Sequence, residues 1–233
     1  MNKRKNRILK AIVDDFVDSA IPVGSRTIYK EYIRELSPAT IRNEMSDLEE
    51  EGFIAQPHTS AGRIPTDSGY RYFIDNLMKE KDLSHKDAEL IKKIAHQIKE
   101  DFDDAFDELS NMFSDMMDYL TIAVSHRKAK RRLSASGVSR LIQQPEFRDV
   151  DNTRKIIEIL EQRDFLGNLL DEYSKEEAVN VKIGKENKPK EVRDYTIVVT
   201  SFNDGEIAIV GPTRMNYQKV TAYLRRLNQE LNY

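Results

Sequence analysis

The sequence predicts an α+β protein that is mostly helical, and three observations lead to this prediction. A series of N-terminal helices runs into two short strands, which is the element order of a winged helix-turn-helix. A long amphipathic helical segment follows. A small C-terminal α/β part then holds two apolar strands joined by Asn203-Asp-Gly205, a strong signal for an antiparallel hairpin. We therefore expect three parts, at residues 1–80, 84–125 and 126–233.

The composition limits the classes to which the protein can belong. The 233 residues carry a net charge of only −3, so any nucleic-acid binding must come from local basic patches. The sequence lacks cysteine, which excludes disulfides and thiolate zinc sites and fits a reducing compartment. It also lacks the apolar run of a secretion signal or a membrane span. We expect a cytoplasmic protein without a membrane partner.

Two helices are predicted first in the N-terminal part. Residues 3–20 place their apolar side chains on one face at helical spacing, and Pro22 ends this helix. Ser25 is then predicted to cap a short second helix that fades by about residues 32–35.

The third helix has the strongest start signal in the chain. Ser37 can accept a hydrogen bond from a free backbone N–H, and Pro38 occupies the first helical position, where its missing N–H costs nothing. Gly52 ends the helix. The side chains predicted to face inward are Ile41, Met45 and Leu48.

Two short strands and a fourth helix are predicted next. Residues 53–56 and 62–65 read as strands, and the turn-forming residues 57–61 separate them. Thr66 caps a helix that extends to about Leu77.

A single long helix is predicted at 85–122, with Ser84 and Asp87 forming a capping box. Its apolar residues recur at three- and four-residue steps over about four heptads, which suggests a helical hairpin or a coiled coil. These apolar residues form one continuous stripe along the helix, called the seam below. The small N-terminal part cannot bury the seam alone, so we expect dimer contacts along it. The predicted interface residues are Ile91, Ile94, Ile98, Phe102, Phe106, Leu109, Phe113 and Met116.

The C-terminal part is predicted to begin with a linker that includes the basic run Arg127-Lys-Ala-Lys-Arg-Arg132. Thr213 is predicted to cap the last helix. We expect a helix, two strands and a final helix at 151–173, 195–200, 206–210 and 214–231.

The face of the third helix opposite its apolar residues points to DNA recognition. Arginine reads guanine and asparagine reads adenine through paired hydrogen bonds, and the N-terminal half of such a helix enters the major groove. The alternative is that Arg42 and Asn43 are ordinary solvent-facing residues. The predicted DNA contacts are Ser25, Arg26, Thr27, Ser37, Ala39, Thr40, Arg42, Asn43, Ser46, His58 and Arg63.

Several charged segments allow two interpretations each. His58 and Arg63 either contact DNA or belong to a polar loop. The run Arg127–Arg132 is a second phosphate patch or a solvated linker. The acids of Glu100-Asp-Phe-Asp-Asp104 form either a metal site or the solvent-exposed face of a helix. The phenylalanine lies in the apolar seam, which favours the solvent-exposed face for the acids.

Catalytic motifs are missing from the sequence. It shows no Gly-rich phosphate loop after a strand, no nucleophile elbow and no zinc-ligand spacing, and the histidines at 58, 85, 96 and 126 are scattered. We expect neither an enzyme nor a cofactor.

Several long and unusual motifs occur along the chain. They are Pro22-Val-Gly-Ser-Arg-Thr27, Ser37-Pro-Ala-Thr-Ile-Arg-Asn-Glu-Met45, Asp47-Leu-Glu-Glu50, Gln56-Pro-His-Thr-Ser-Ala-Gly-Arg-Ile-Pro65, Gly69-Tyr-Arg-Tyr72, Gln144-Pro-Glu-Phe147 and Gly211-Pro-Thr-Arg-Met215. Together these motifs closely resemble the bacterial heat-inducible transcription repressor family HrcA. The resemblance is dense over about residues 5–78 and patchier over 135–231.

The resemblance implies a homodimer that binds double-stranded inverted-repeat operator DNA upstream of chaperone operons. It also implies release on heat stress and restoration of the active form by the GroEL chaperonin. Family members typically carry a GAF-like central domain and an inserted segment, whereas here Ser125-His126 leads almost directly to Gly137. We therefore expect the segment 84–125 to take a larger share of the dimer contacts.

Two other functions compete with repression. In one, the winged helix is a scaffold and the long helix binds protein partners, so that DNA binding with a steep salt dependence is absent. In the other, the C-terminal sheet senses a small molecule, although so short a C-terminal part argues against an enclosed pocket.

Overall fold

A computed structural model describes residues 1–127, 131–175 and 177–232 and shows a mixed α/β protein with an antiparallel sheet. Within that part of the chain, no helix combines the length and apolar character needed to cross a membrane. The described residues belong to two compact units. Unit one comprises Met1–Lys79 with Thr213–Met215, and unit two comprises Glu80–Pro212 with Asn216–Tyr233.

Unit one consists of helices and a small hairpin in the predicted order. The apolar stripe of the first helix is buried, and the fourth helix continues as a π-helical turn over Phe73–Leu77. Its elements are α1 (Lys3–Ser19), α2 (Ser25–Glu31), α3 (Pro38–Glu50), β1 (Ile54–Ala55), β2 (Ile64–Pro65) and α4 (Asp67–Tyr72).

The β1–β2 hairpin of unit one has a third partner that the sequence did not indicate. Val23 and Arg63 form an antiparallel bridge, with N–H to oxygen distances of 2.8 and 2.9 Å. Gly62 makes this approach possible, because a Cβ there would lie 2.5 Å from the carbonyl carbon of Val23. The hairpin is therefore fixed to the segment before α2.

Unit two contains the large sheet and most of the remaining helices. All five strands pair antiparallel in the order β4-β3-β7-β6-β5. The elements are α5 (His85–Glu100), α6 (Phe102–Met117), β3 (Leu120–Ser125), β4 (Arg132–Ser136), α7 (Val138–Gln143), α8 (Val150–Glu161), α9 (Arg163–Ser174), β5 (Asn180–Ile183), β6 (Tyr195–Phe202), β7 (Gly205–Pro212) and α10 (Tyr217–Asn232).

Helices cover both faces of this sheet. Helices α7 and α9 pack on one face, and α6 and α10 pack on the other, with α5 against α6 and α10. The central strands β3, β6 and β7 are consequently buried on both sides, which explains their nearly continuous apolar sequences. The predicted hairpin around Asn203-Asp-Gly205 is confirmed as the β6–β7 pair.

The prediction of one continuous helix at 85–122 is wrong. Asp101 adopts an extended conformation, with φ −138° and ψ 91°, and separates α5 from α6. The last residues of the predicted helix instead form strand β3. A short apolar run such as Leu120-Thr-Ile-Ala-Val124 does not reveal by periodicity whether it is a buried strand or a helix.

The predicted dimer interface residues lie inside unit two. Seven of the eight are buried, and Met116 is half-buried. Helices α5, α6 and α10 and the sheet of the same chain cover this seam, so it is not exposed for a partner. This is a correction of the expected seam-mediated dimer. The seven buried residues are Ile91, Ile94, Ile98, Phe102, Phe106, Leu109 and Phe113.

Three smaller predictions for unit two also need correction. The predicted linker after residue 126 contains strand β4, although residues 128–130 lie outside the described residues. The predicted helix 151–173 is two helices that meet at Gln162. The last helix is capped by Asn216, whose Oδ1 accepts the N–H of Lys219 at 3.1 Å, rather than by Thr213.

Candidate nucleic-acid interface

The start of α3 has the predicted cap. The Ser37 hydroxyl accepts the backbone N–H of Thr40 at 3.1 Å, and Pro38 occupies the first helical position. The two hydroxyls of Ser37 and Thr40 also lie 2.9 Å apart. This cap sets where α3 begins and therefore which of its side chains point outward.

The outward face of α3 carries the predicted contact residues. Ile41 and Leu48 are fully buried beneath the helix. The opposite side is exposed and consists of Ala39, Arg42, Asn43 and Ser46. The predicted inward and outward faces of the helix are therefore confirmed, whereas contact with DNA stays a prediction.

The residues at the start of α2 differ in their exposure. Arg26 is exposed and Thr27 is half-buried, so both can reach a ligand. Ser25 is only 8% exposed, and Gly24 is the residue that precedes the helix as its cap. The prediction that Ser25 caps α2 is wrong, because Ser25 is itself the first helical residue.

A groove in unit one brings several predicted contact residues together. It lies between the start of α2, α3 and the hairpin loop, and its volume is about 480 Å³. Its lining includes Ser25, Arg26, Arg42, Gln56, Ser60 and Arg63. Among the described residues, neither Arg26 nor Arg42 forms an ion pair, so both guanidinium groups are available to an anion.

Arg63 has a different environment from the other two arginines. Its Nε and Nη2 atoms both lie 2.9 Å from the Glu49 carboxylate. The other oxygen of Glu49 accepts the backbone N–H of Gln56 at 3.1 Å. The predicted DNA contact of Arg63 is therefore less favoured, because the guanidinium already holds the hairpin to α3.

Gln56 completes this connection, and sequence analysis missed both Gln56 and Glu49. The Gln56 side-chain amide donates to the carbonyls of Thr59 and Ala61, each at 2.9 Å. It thereby shapes the loop that carries His58, which is exposed and has its Nδ1 3.4 Å from the Ser60 hydroxyl. A glutamate in an acidic run gives no sequence signal for such a role.

Basic residues of α1 pair with three of the acids on α3 and at its end, namely Glu44, Asp47 and Glu51. The Lys5 ammonium lies 2.6 Å from Glu51 and 3.0 Å from Asp47, and these hydrogen bonds raise the pKa of Lys5. Arg4 contacts Glu44 at 2.9 Å. The repulsion that these acids would exert on a phosphate backbone is therefore reduced.

The basic run of unit two is engaged within the protein where it is described. Arg127 pairs with Asp204 at 2.8 Å, and Arg132 pairs with Asp107 at 2.6 Å. Arg131 donates to Asn168 at 2.8 Å. The contacts of Arg127, Arg131 and Arg132 disfavour a second phosphate patch. Residues 128–130 of the run lie outside the described part of the chain.

The acidic stretch at 100–104 is described only in part, because the side chains of Asp103 and Asp104 lie outside the described residues.

Comparisons with known proteins place this geometry in context. A family model described as the HrcA protein C-terminal domain matches residues 70–221. The chain is 32% identical to the heat-inducible transcription repressor HrcA of Desulfitobacterium hafniense, over 99% of this chain and 97% of that protein. It is 31% identical to the repressor of the same name from Natranaerobius thermophilus, over 99% and 96%.

The relatives are longer than this chain. The alignment with the HrcA repressor of Pelotomaculum thermopropionicum, at 28% identity, extends over 334 positions, 101 more than the 233 residues here. It spans 100% of this chain and 96% of that protein, so the missing positions are internal.

A solved structure shares the fold. The crystal structure of a hypothetical protein at 2.2 Å resolution superposes with a TM-score of 0.77 and covers 99% of this chain and 98% of its own. The identity is 18%, so the likeness concerns the fold alone.

Proposed function

The chain belongs to the HrcA family of heat-inducible transcription repressors, and from this premise we propose that it represses heat-shock genes by binding operator DNA through unit one. We further propose that it acts as a homodimer on an inverted repeat in chaperone operons, that heat releases it, and that the GroEL chaperonin restores its active form. Unit one is then a winged helix-turn-helix, with α3 as the recognition helix and the β1–β2 hairpin as the wing.

The observation that carries the proposal is the exposed face of α3 beside the groove. Arg42 and Asn43 are exposed at the N-terminal half of a capped helix, which is the part that enters the major groove in this class of fold. Arg26 lines the same groove as Arg42 and can neutralise phosphate. Three acids on α3 and at its end, Glu44, Asp47 and Glu51, are paired with basic residues of α1.

The proposed contacts divide by task. Arg42 and Asn43 read base edges, whereas Arg26 and the hydroxyl side chains bind phosphate. Arg63 orients the wing through Glu49 and contributes less charge to DNA. The phosphate-binding residues of the proposal are Arg26, Thr27, Ser37, Thr40, Ser46 and His58. The nearly buried Ser25 and the apolar Ala39 support the contact surface without binding phosphate through a charged group.

The proposed dimer uses a surface other than the buried seam of α5 and α6. A two-fold symmetric protein matches a two-fold symmetric operator, and each unit one then occupies one half-site. Because the seam residues fill the core of unit two, the dimer contacts must come from side chains that are exposed in the single chain.

A mobility-shift titration of labelled operator DNA with Arg42→Ala and Asn43→Ala tests the reading face. Each substitution should cost about 1–3 kcal/mol of specific binding and relax sequence preference at one position, because each removes a pair of hydrogen bonds to a base. Binding to unrelated DNA should change much less.

Arg154→Ala provides the matched control, because Arg154 is an exposed arginine on α8 in unit two. Its affinity should equal that of the unsubstituted protein. Unchanged specific binding in both α3 variants would remove the assigned reading face. A flat salt dependence of DNA binding would instead favour the protein-interaction adaptor, since phosphate contacts produce a steep negative slope.

A further inference from the structure

Three potential metal ligands from distant parts of the sequence meet in unit two. His126 follows β3, Asp171 lies on α9 and Glu206 lies on β7. One ligand atom from each lies within 4.8 Å of the other two. None of the three takes part in the proposed DNA interface, so the repressor function leaves this cluster unexplained.

The Glu206 carboxylate is the most unusual member of the cluster. Its side chain is only 5% exposed, and both of its oxygens lie 2.8 Å from the same atom, His126 Nε2. Within the described part of the chain, these are the hydrogen bonds of this carboxylate. A single N–H cannot satisfy two oxygens fully, so a buried charge is left under-coordinated.

The geometry points to a divalent transition-metal site, and we propose that His126, Asp171 and Glu206 bind Zn²⁺ or an ion of similar chemistry. Metal–ligand distances are roughly 2.0–2.2 Å, so the ligand atoms of a tetrahedral ion stand roughly 3.3–3.6 Å apart. The three ligand atoms of the cluster, which lie within 4.8 Å of one another, would approach each other by up to roughly 1 Å when an ion binds. Two carboxylates would also balance the charge of a divalent ion.

The mixed donor set selects the type of metal. One imidazole nitrogen with two carboxylate oxygens suits Zn²⁺ and its first-row neighbours, whereas Mg²⁺ and Ca²⁺ prefer oxygen ligands alone. Three protein ligands leave a position for water. The symmetric approach of both Glu206 oxygens to one atom resembles the way in which a carboxylate binds a single cation.

Neighbouring cations set an upper limit on the affinity. The Lys175 ammonium lies 2.9 Å from Asp171 Oδ2, so a metal would have to compete with it for that carboxylate. Arg131 is held nearby by Asn168 and partly compensates Glu206. We therefore expect weaker zinc binding than at a site whose carboxylates have no competing cation.

Direct metal binding tests the proposal. Untagged protein is stripped with a chelator and titrated with ZnCl₂ alone by calorimetry, and bound zinc per chain is measured after gel filtration. We expect one Zn²⁺ per chain, a rise in melting temperature with zinc concentration, and little response to MgCl₂. His126→Gln and Asp171→Asn should each weaken binding at least tenfold.

His96→Gln is the matched control, because His96 pairs with Glu100 at 3.2 Å on the surface of α5 and the described residues supply no third ligand there. This variant should bind zinc like the unsubstituted protein. Absence of stoichiometric zinc, equal affinity in the His126 and Asp171 variants, or an equal loss in the His96 variant would each overturn the site. Melting curves of the stripped variants confirm that they are folded.

Discussion

At the residue scale, Glu49 holds the hairpin and the exposed helix face of unit one in one arrangement. One carboxylate oxygen binds the guanidinium of Arg63, and the other accepts the backbone N–H of Gln56. Both partners belong to the hairpin, whereas Glu49 belongs to α3. The carboxylate is about one-third exposed, so its contribution is only partly screened by solvent.

Replacing Glu49 with glutamine should weaken operator binding without touching a proposed DNA contact. The substitution removes the charge that holds Arg63, at a cost of about 1–2 kcal/mol of folding free energy. The hairpin is then less ordered in the free protein, and ordering it on DNA lowers the binding affinity. We expect a several-fold loss of affinity in a mobility-shift titration, together with a small drop in the urea midpoint.

Glu50→Gln is the control for this effect, because Glu50 is the exposed neighbour on the same helix and makes the same change in net charge. A charge effect on DNA binding would appear in both variants with the same sign. If Glu50→Gln and Glu49→Gln behave alike, the positioning role of Glu49 is wrong.

At the scale of elements, the hairpin depends on one close backbone approach. The bridge between Val23 and Arg63 joins it to the segment before α2, and Gly62 lies against the backbone of Pro22 and Val23. Only a residue without Cβ fits there. The hairpin strands themselves are just two residues long, so this bridge adds to the contacts with Glu49 in holding them.

Gly62→Ala should therefore destabilise unit one. The new methyl group would lie 2.5–2.6 Å from backbone atoms that cannot move aside cheaply, and overpacking of this kind costs about 1–3 kcal/mol. A urea melt followed by circular dichroism measures the loss. Gly24→Ala is the control, since its nearest neighbour would be 4.0 Å away; the preference for glycine over alanine as a helix cap leaves a loss of no more than about 1 kcal/mol, so its urea midpoint should fall less than that of Gly62→Ala. Equal midpoints for both variants would contradict the close-approach argument.

At the scale of the whole molecule, the apolar seam of α5 and α6 belongs to the core of a single chain. Phe106 is fully buried, stacks on Phe102 at 5.4 Å and lies beneath the guanidinium of Arg132 at 5.1 Å. A substitution in the seam should thus act on folding, not on association.

Phe106→Ala tests this assignment. Removing a buried phenylalanine costs about 3–5 kcal/mol, so the variant should unfold at a markedly lower temperature. Sedimentation and thermal melts, measured together, distinguish the two roles. A variant that stays as stable as the unsubstituted protein and sediments as a folded monomer would contradict the core assignment and support a dimer interface at the seam. Ile157→Ala, an exposed change on α8, should leave stability nearly intact.

Local patterns in the sequence predicted the elements of unit one because each depends on neighbours in the chain. The cap by Ser37, the stop at Gly52 and the burial of Ile41 follow from helix geometry alone. The β6–β7 hairpin could be predicted equally well, because Asn203-Asp-Gly205 specifies a tight turn. For these elements the sequence and the structure agree.

The partners of side chains far apart in the sequence were decided by tertiary structure. Nothing near Glu49 indicates that it binds Arg63, and nothing near His126 indicates that it meets Asp171 and Glu206. The seam of α5 and α6 shows the same limit, since periodicity reveals that a face is apolar but not what covers it.

The sequence by itself determined which segments are helices in unit one, which face of α3 is exposed and the family to which the chain belongs. Only the fold decided that the seam is covered by its own sheet, because burial depends on long-range packing.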